Sequence, residues 1–120
     1  MNEPTNLQPT TPQELKVLRA EHRRVAAEWA RAVLADQQAV ILDTETTGLH
    51  PQAEIVEIAI ITCHSGQPLL DSLVKPKGKI PRGATAIHGI GMADVAGAPA
   101  WPELHQQVGQ ILRNASQVVI

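Results

Sequence analysis

Asp43 and Glu45 stand two residues apart at the end of an apolar run, Val40-Ile41-Leu42. Val and Ile favour extended backbone, so the run reads as a buried strand. Side chains on a strand alternate faces, and residues i and i+2 point the same way. The two carboxylates therefore project from one face, roughly 6–7 Å apart at Cα. Carboxylates that close repel unless a proton or a cation lies between them. A hard divalent ion such as Mg²⁺ takes oxygen ligands and relieves that repulsion. The stretch continues as Thr46-Thr47-Gly48-Leu49. Gly48 is expected to turn the chain with a positive φ, and Thr46 and Thr47 bring hydroxyls and amides beside the carboxylates. The plainer reading of the same residues is an acidic strand end and a turn, with no metal.

The rest of the chain supplies elements that could hold this pair. Residues 1–10 are polar, carry Pro4 and Pro9, and read as a disordered lead. Thr11-Pro12-Gln13-Glu14 is a helix start: a capping Thr, Pro at the first helical position, and Glu completing a capping box. Leu15, Leu18, His22, Val25, Trp29 and Val33 then follow at three- and four-residue spacing, to a helix end near Ala35. His22 interrupts that stripe and is expected to be partly buried. Lys16, Arg19, Arg23, Arg24 and Arg31 decorate the other faces, which suits a solvated surface or a docking one.

A first strand is expected over residues 38–45, and Gly48 and Pro51 break the loop after it. A second strand covers Glu54–Cys63. Its two faces, Ile55-Glu57-Ala59-Ile61 and Val56-Ile58-Ile60, are both largely apolar, which predicts a central strand covered on both sides. On that pattern Glu57 is buried and structural, paired to a basic residue. His64-Ser65-Gly66-Gln67 is a hairpin turn into a third strand, Pro68–Lys75. The following loop carries Lys75, Lys77, Lys79 and Arg82, the densest positive run in the chain; it suits phosphate contact or simple solvation. Short helices are expected at Ala84–His88 and Met92–Val95, a longer one from Trp101 to about Asn114, and a fourth strand from Ser116.

At 120 residues the chain is one domain, and with no Phe or Tyr its core must come from Ile, Leu, Val and Ala. Cys63 is the single cysteine, so an intramolecular disulfide is excluded, which suits a reducing cytoplasm. No apolar run is long enough to span a bilayer, and the N-terminus lacks the pattern of a secretory signal. A net charge of −2 argues against a generally basic nucleic-acid coat; any such contact is local or metal-mediated.

Asp43-Thr44-Glu45-Thr46-Thr47-Gly48 after an apolar strand resembles the first exonuclease motif of the DEDD 3′–5′ exonucleases, the group that includes the proofreading (epsilon) subunit of bacterial DNA polymerase III. Glu54-Ile55-Val56-Glu57-Ile58-Ala59, Leu73-Val74-Lys75-Pro76 and Ala86-Ile87-His88-Gly89-Ile90 agree with it, over about residues 38–120. The resemblance implies an α/β, ribonuclease H-like mixed sheet: three antiparallel strands, a helical crossover, and a fourth strand parallel to the first. It implies hydrolysis at nucleic-acid 3′ ends, DNA before RNA, with two Mg²⁺ or Mn²⁺ ions held partly by Asp43 and Glu45. Thr46, Thr47, Gly48 and Leu49 would receive the terminal nucleotide, and the His88 segment would border the cleft. A DNA polymerase or other replication protein is the partner class it points to.

The second and third motifs of that family, with their aspartates and histidine, have no counterpart in these residues. The chain is therefore expected to be the N-terminal part of a longer exonuclease and catalytically incomplete alone. Asp71 and Asp94 are not placed where the family has ligands; Asp94 suits a local helix cap. Gly91 and Ala100 precede helices without a capping side chain, which predicts weaker helix starts. Two other functions stay open: a non-catalytic module that binds nucleic acid or a partner, and an RNA-directed exonuclease.

Overall fold

The structure, a computed structural model, describes residue 8 and residues 11–120. The expected disordered lead falls outside the described residues, apart from Gln8. The chain divides into two units, Met1–Val33 and Leu34–Ile120.

The first unit is built on helix α1, Pro12–Ala35, which runs across the division. Its start is the expected capping box. The Glu14 amide donates to Thr11 Oγ1 at 3.1 Å, and the Thr11 amide donates to Glu14 Oε2 at 3.0 Å. Most of the apolar stripe is exposed rather than buried: Leu15 and Leu18 are 36% exposed, Val25 51% and Trp29 53%, while Val33 near the helix end is buried at 4%. His22, expected to be partly buried, is exposed as well. Helical spacing aligned these side chains on one face, but alignment alone buries nothing; burial needs a second surface. Arg24 pairs with Glu21 and Glu28 along the helix, as i,i+3 and i,i+4 neighbours do.

The second unit is a four-stranded sheet. Strands β1 (Val40–Thr46), β2 (Ile55–Thr62), β3 (Pro68–Leu73) and β4 (Val118–Val119) lie in the order β3-β2-β1-β4. β1 with β2 and β2 with β3 are antiparallel, and β4 is parallel to β1. The hairpin between β2 and β3 turns at Gly66, whose φ of 68° is costly for a residue with a Cβ. Helices α2 (Arg82–His88), α3 (Met92–Val95) and α4 (Trp101–Asn114) make the crossover from β3 to β4. Every expected element is present, with ends moved by a residue or two.

The β4 pairing is held at its entry. The Ser116 hydroxyl donates to Asp36 Oδ2 at 2.6 Å, the Ser116 amide to Gln38 O at 3.1 Å, and the Val40 amide to Gln117 O at 3.0 Å. The Ser116 hydroxyl, then the Gln38 amide, hold the Asp36 carboxyl below the usual carboxylate range. Gly91 and Ala100 lack capping side chains, yet α3 and α4 are capped from inside. The Gly91 amide donates to Asp94 Oδ2 at 2.8 Å, and the Ala100 amide to Glu103 Oε2 at 2.7 Å. A carboxylate at the third helical position reaches back to the same orphan donor, so the expected weakness is offset.

Two apolar clusters flank the sheet. Leu104 and Val108 of α4 pack on Val40, Ile58, Ile60, Leu70 and Val74. Val56 joins Ile80, Ile90 and Val95 instead. The pairing slips by one residue between Glu45 and Thr46, where Thr46 meets Ile55 rather than Val56. A slip of that kind re-aims the side chains beyond it, and Ile55 accordingly packs on the first cluster. β2 is an inner strand as expected, but its two faces differ. Val56, Ile58 and Ile60 are buried, while Ile55, Glu57, Ala59 and Ile61 are only half-buried.

Candidate active site

Asp43 and Glu45 project from the half-buried face of β1, in register with Ala59 and Glu57 of β2. Asp43 is exposed and Glu45 half-buried. Among the described residues neither carboxylate has a hydrogen-bond or ion-pair partner, so their oxygens are open to an outside ligand. That suits a hard cation, which takes several oxygens and tolerates water as the remainder. The pair is a partial donor set. No group of three or more His, Cys, Asp or Glu side chains among the described residues stands together to hold a metal ion.

Glu57 is not the buried, paired residue its pattern predicted. It is half-buried, lies directly across from Glu45, and has no basic partner among the described residues. Of the apolar residues around it, Ile58 and Ile60 turn to the opposite face against α4, and Val56 packs in the second cluster. Asp71 shares the row Asp43-Ala59-Asp71, but two strand spacings, roughly 9–10 Å, separate it from Asp43. Asp94 is occupied as the α3 cap.

The turn after Glu45 is closed by its own polar groups. Thr46 Oγ1 donates to Gly48 O at 2.8 Å. Thr47, 7% exposed, donates its amide to Glu54 O and accepts the Glu54 amide at Oγ1, both at 2.9 Å. The hydroxyls expected beside the metal position thus build the turn. Gly48 does not carry the expected positive φ; among the described residues only Gly66 and Gly89 do. A Cβ there would stand 3.0 Å from His50 Cδ2 and 3.1 Å from His50 Nε2, the end of an exposed side chain that can move. Leu49 at the tip is fully exposed.

His88 ends α2, where Gly89 takes φ 78° and donates its amide to Thr85 O at 2.7 Å. The ring reaches back to this turn. Nε2 stands 3.1 Å from Thr46 O, and Nδ1 accepts the Ile90 amide at 3.1 Å. A carbonyl only accepts and an amide only donates, so the geometry assigns the Nε2–H tautomer. The expected cleft-bordering segment therefore meets the turn through one hydrogen bond. Ile87, 85% exposed, stands beside it.

An apolar-strand, paired-carboxylate, glycine-turn site at the end of β1 in this strand order invites comparison with known proteins. The RNase T exonuclease pattern matches residues 40–120. The chain belongs to this exonuclease family. Within the DEDD group, it is 49% identical over 72 residues to "Uncharacterized exonuclease CP81" of Escherichia phage 186. It is 42% identical over 82 residues to "DNA polymerase III subunit epsilon-like protein" of Rhodobacter capsulatus. Those matches cover 60% and 63% of this chain but only 37% and 12% of the relatives. Among solved structures, exonuclease X in complex with 5′ overhanging duplex DNA superposes with a TM-score of 0.50 at 38% identity, over 58% of this chain and 42% of that one. The ribonuclease H-like mixed sheet of the exonuclease family is thus the fold observed, and the chain carries part of the domain. No helix among the described residues is long and apolar enough to cross a membrane.

Proposed function

We propose that the protein carrying this chain is a metal-dependent 3′–5′ exonuclease that releases nucleoside 5′-monophosphates from DNA ends. The observation that carries the reading is the pair Asp43 and Glu45: same face, unpartnered, and followed at once by a turn braced from Glu54 and His88. Asp43 and Glu45 would hold divalent metal, which when bound supplies a Lewis acid for the phosphate and a water of lowered pKa. The remaining roles belong to the chain's own groups. Thr46, Thr47 and Gly48 set the shape of the turn that receives the terminal nucleotide. Leu49, exposed at the tip, offers an apolar surface to its base, and His88 fixes the turn against α2. DNA is favoured over RNA by the likeness to a DNA-bound exonuclease.

The test is hydrolysis of DNA and RNA single strands by the full-length parent, labelled at either end. Mononucleotide release from the 3′ end, abolished by EDTA and faster on DNA, is the expected result. Release from the 5′ end, or activity insensitive to EDTA, refutes the reading. Residues 1–120 alone are expected to be inactive, because the pair is only part of a metal site; turnover by this piece would show that a side chain such as Asp71 completes it.

A further inference from the structure

Glu54 uses every polar group it has to join two segments. Its backbone pairs with Thr47 in both directions, N–H to Oγ1 and C=O to N–H, each at 2.9 Å. Its carboxylate accepts the Lys77 amide at 2.7 Å on Oε1 and the Gly78 amide at 2.9 Å on Oε2. One residue thus links the turn at the carboxylate pair to the lysine-bearing loop 75–79. The approach is close: a Cβ on Gly78 would stand 3.3 Å from Glu54 Oε2. The loop is anchored on both sides as well. The Lys75 amide donates to Pro99 O at 2.8 Å, and Ile80 is buried in the second cluster. Between these anchors Lys75, Lys77 and Lys79 are exposed, and none forms a salt bridge among the described residues.

We propose that Glu54 is a positioning residue of the exonuclease site: it holds the 75–79 loop in register with the Thr46–Leu49 turn, so that Lys77 and Lys79 grip phosphates of the single strand whose 3′ end enters the turn. The inference rests on the exonuclease reading and deepens it by naming the surface that tracks the strand. The physical case is one of order. Lysines on a loose loop bind phosphate with little registry, whereas a carboxylate holding two successive amides fixes the loop backbone at the point where the cations leave it. Glu54 is itself negative. If it acted only through its charge, removing it would strengthen the binding of nucleic acid. A positioning role predicts the reverse.

The experiment uses the full-length parent and a fluorescent single-stranded DNA, with binding followed by anisotropy in EDTA over a range of salt. The double change Lys77→Ala, Lys79→Ala is expected to flatten the slope of log Kd against log salt by roughly 0.7 for each phosphate that is no longer neutralised. Glu54→Ala is expected to weaken binding about tenfold, the worth of one charge-assisted hydrogen bond, and to flatten the same slope. Adding the lysine changes to Glu54→Ala should then cost little more. In the Mg²⁺ assay KM rises and kcat stays near wild type. Gly78→Ala perturbs the bracket from the loop side with a shift of a few tenths of an ångström, and carries the test should Glu54→Ala fail to fold. Unchanged or tighter binding in these variants, or full additivity with the lysine changes, overturns the proposal. Hydrolysis unaffected by the lysine and Glu54 changes would sink the strand track and leave the exonuclease reading standing. Salt-dependent binding that needs Glu54, in a parent without hydrolysis, would do the opposite.

Discussion

Glu45→Gln is the sharpest single perturbation of the carboxylate face. Glu45 has two like-charged neighbours: Asp43 two residues back on the same face and Glu57 directly across on β2. Coulomb's law gives roughly 0.6 kcal/mol for unit charges 6–7 Å apart in water. Like charges opposite one another on a sheet cost about 0.2–1 kcal/mol per pair. Glutamine keeps the shape and removes both repulsions. With no divalent ion present, the full-length variant should be more stable than wild type by about 0.5–1 kcal/mol at low salt. For a domain near this size that is a rise in Tm of roughly 2–5 °C. At 1 M salt the Debye length falls to about 3 Å, and the gain should vanish. With Mg²⁺ the order should reverse, because only wild type retains both carboxylates for the ion and binding stabilises the state that binds. Calorimetric or fluorescence melting in EDTA, in high salt and in Mg²⁺ reads all three. On the proposed metal-holding role, losing the Glu45 carboxylate should also cost several kcal/mol of barrier, about a thousandfold in rate. A Glu45→Gln protein that melts below wild type in EDTA at low salt, or hydrolyses DNA near the wild-type rate, would refute the placement of an unpartnered, metal-holding carboxylate here.

Gly48→Ala should be tolerated within about 1 kcal/mol, since His50 is exposed and can swing away, while Gly48→Val, with more bulk against that ring, should cost more; equal costs in urea denaturation would show that backbone conformation, not space, selects glycine. His88→Ala removes the ring bonded to Thr46 O and to the Ile90 amide, and should lower stability by about 1–2 kcal/mol and quicken amide exchange at Ile90; wild-type exchange there would remove the brace. The Gly78 amide, then the Lys77 amide, hold the Glu54 carboxyl below its ordinary value near 4.5. The unfolded chain therefore binds that proton first on acidification, so the Glu54 contribution to stability is present above pH 4.5 and lost as pH falls through the folded-state value. Glu54→Gln should shallow the acid side of a stability–pH curve, and an unchanged acid slope would count against the two amide bonds.

Short-range regularities carried the sequence reading a long way. Two acids at i and i+2 share a strand face whatever the rest of the fold does, so Asp43 and Glu45 were legible as a pair. The Thr11–Glu14 capping box, the hairpin at Gly66 and the helix from Trp101 are likewise local, set by side chains within a few residues of one another. What the sequence could not settle was which surface each regular face would meet. Leu15, Leu18, Val25 and Trp29 of the α1 stripe have helical spacing and yet are exposed. Glu57 sits in an apolar strand and yet stands half-buried across from Glu45, because α4 packs on the other face of the sheet. Gly48 lies close to the exposed His50 ring and does not take a positive φ. His88 finds Thr46 across 42 residues, and Glu54 finds Lys77 and Gly78 across 23 and 24. Those partners have no signature in spacing. Chain segments distant in sequence become neighbours only when strand order and crossover are set, and only then do the turn, the histidine and the lysine loop gather at one end of the sheet.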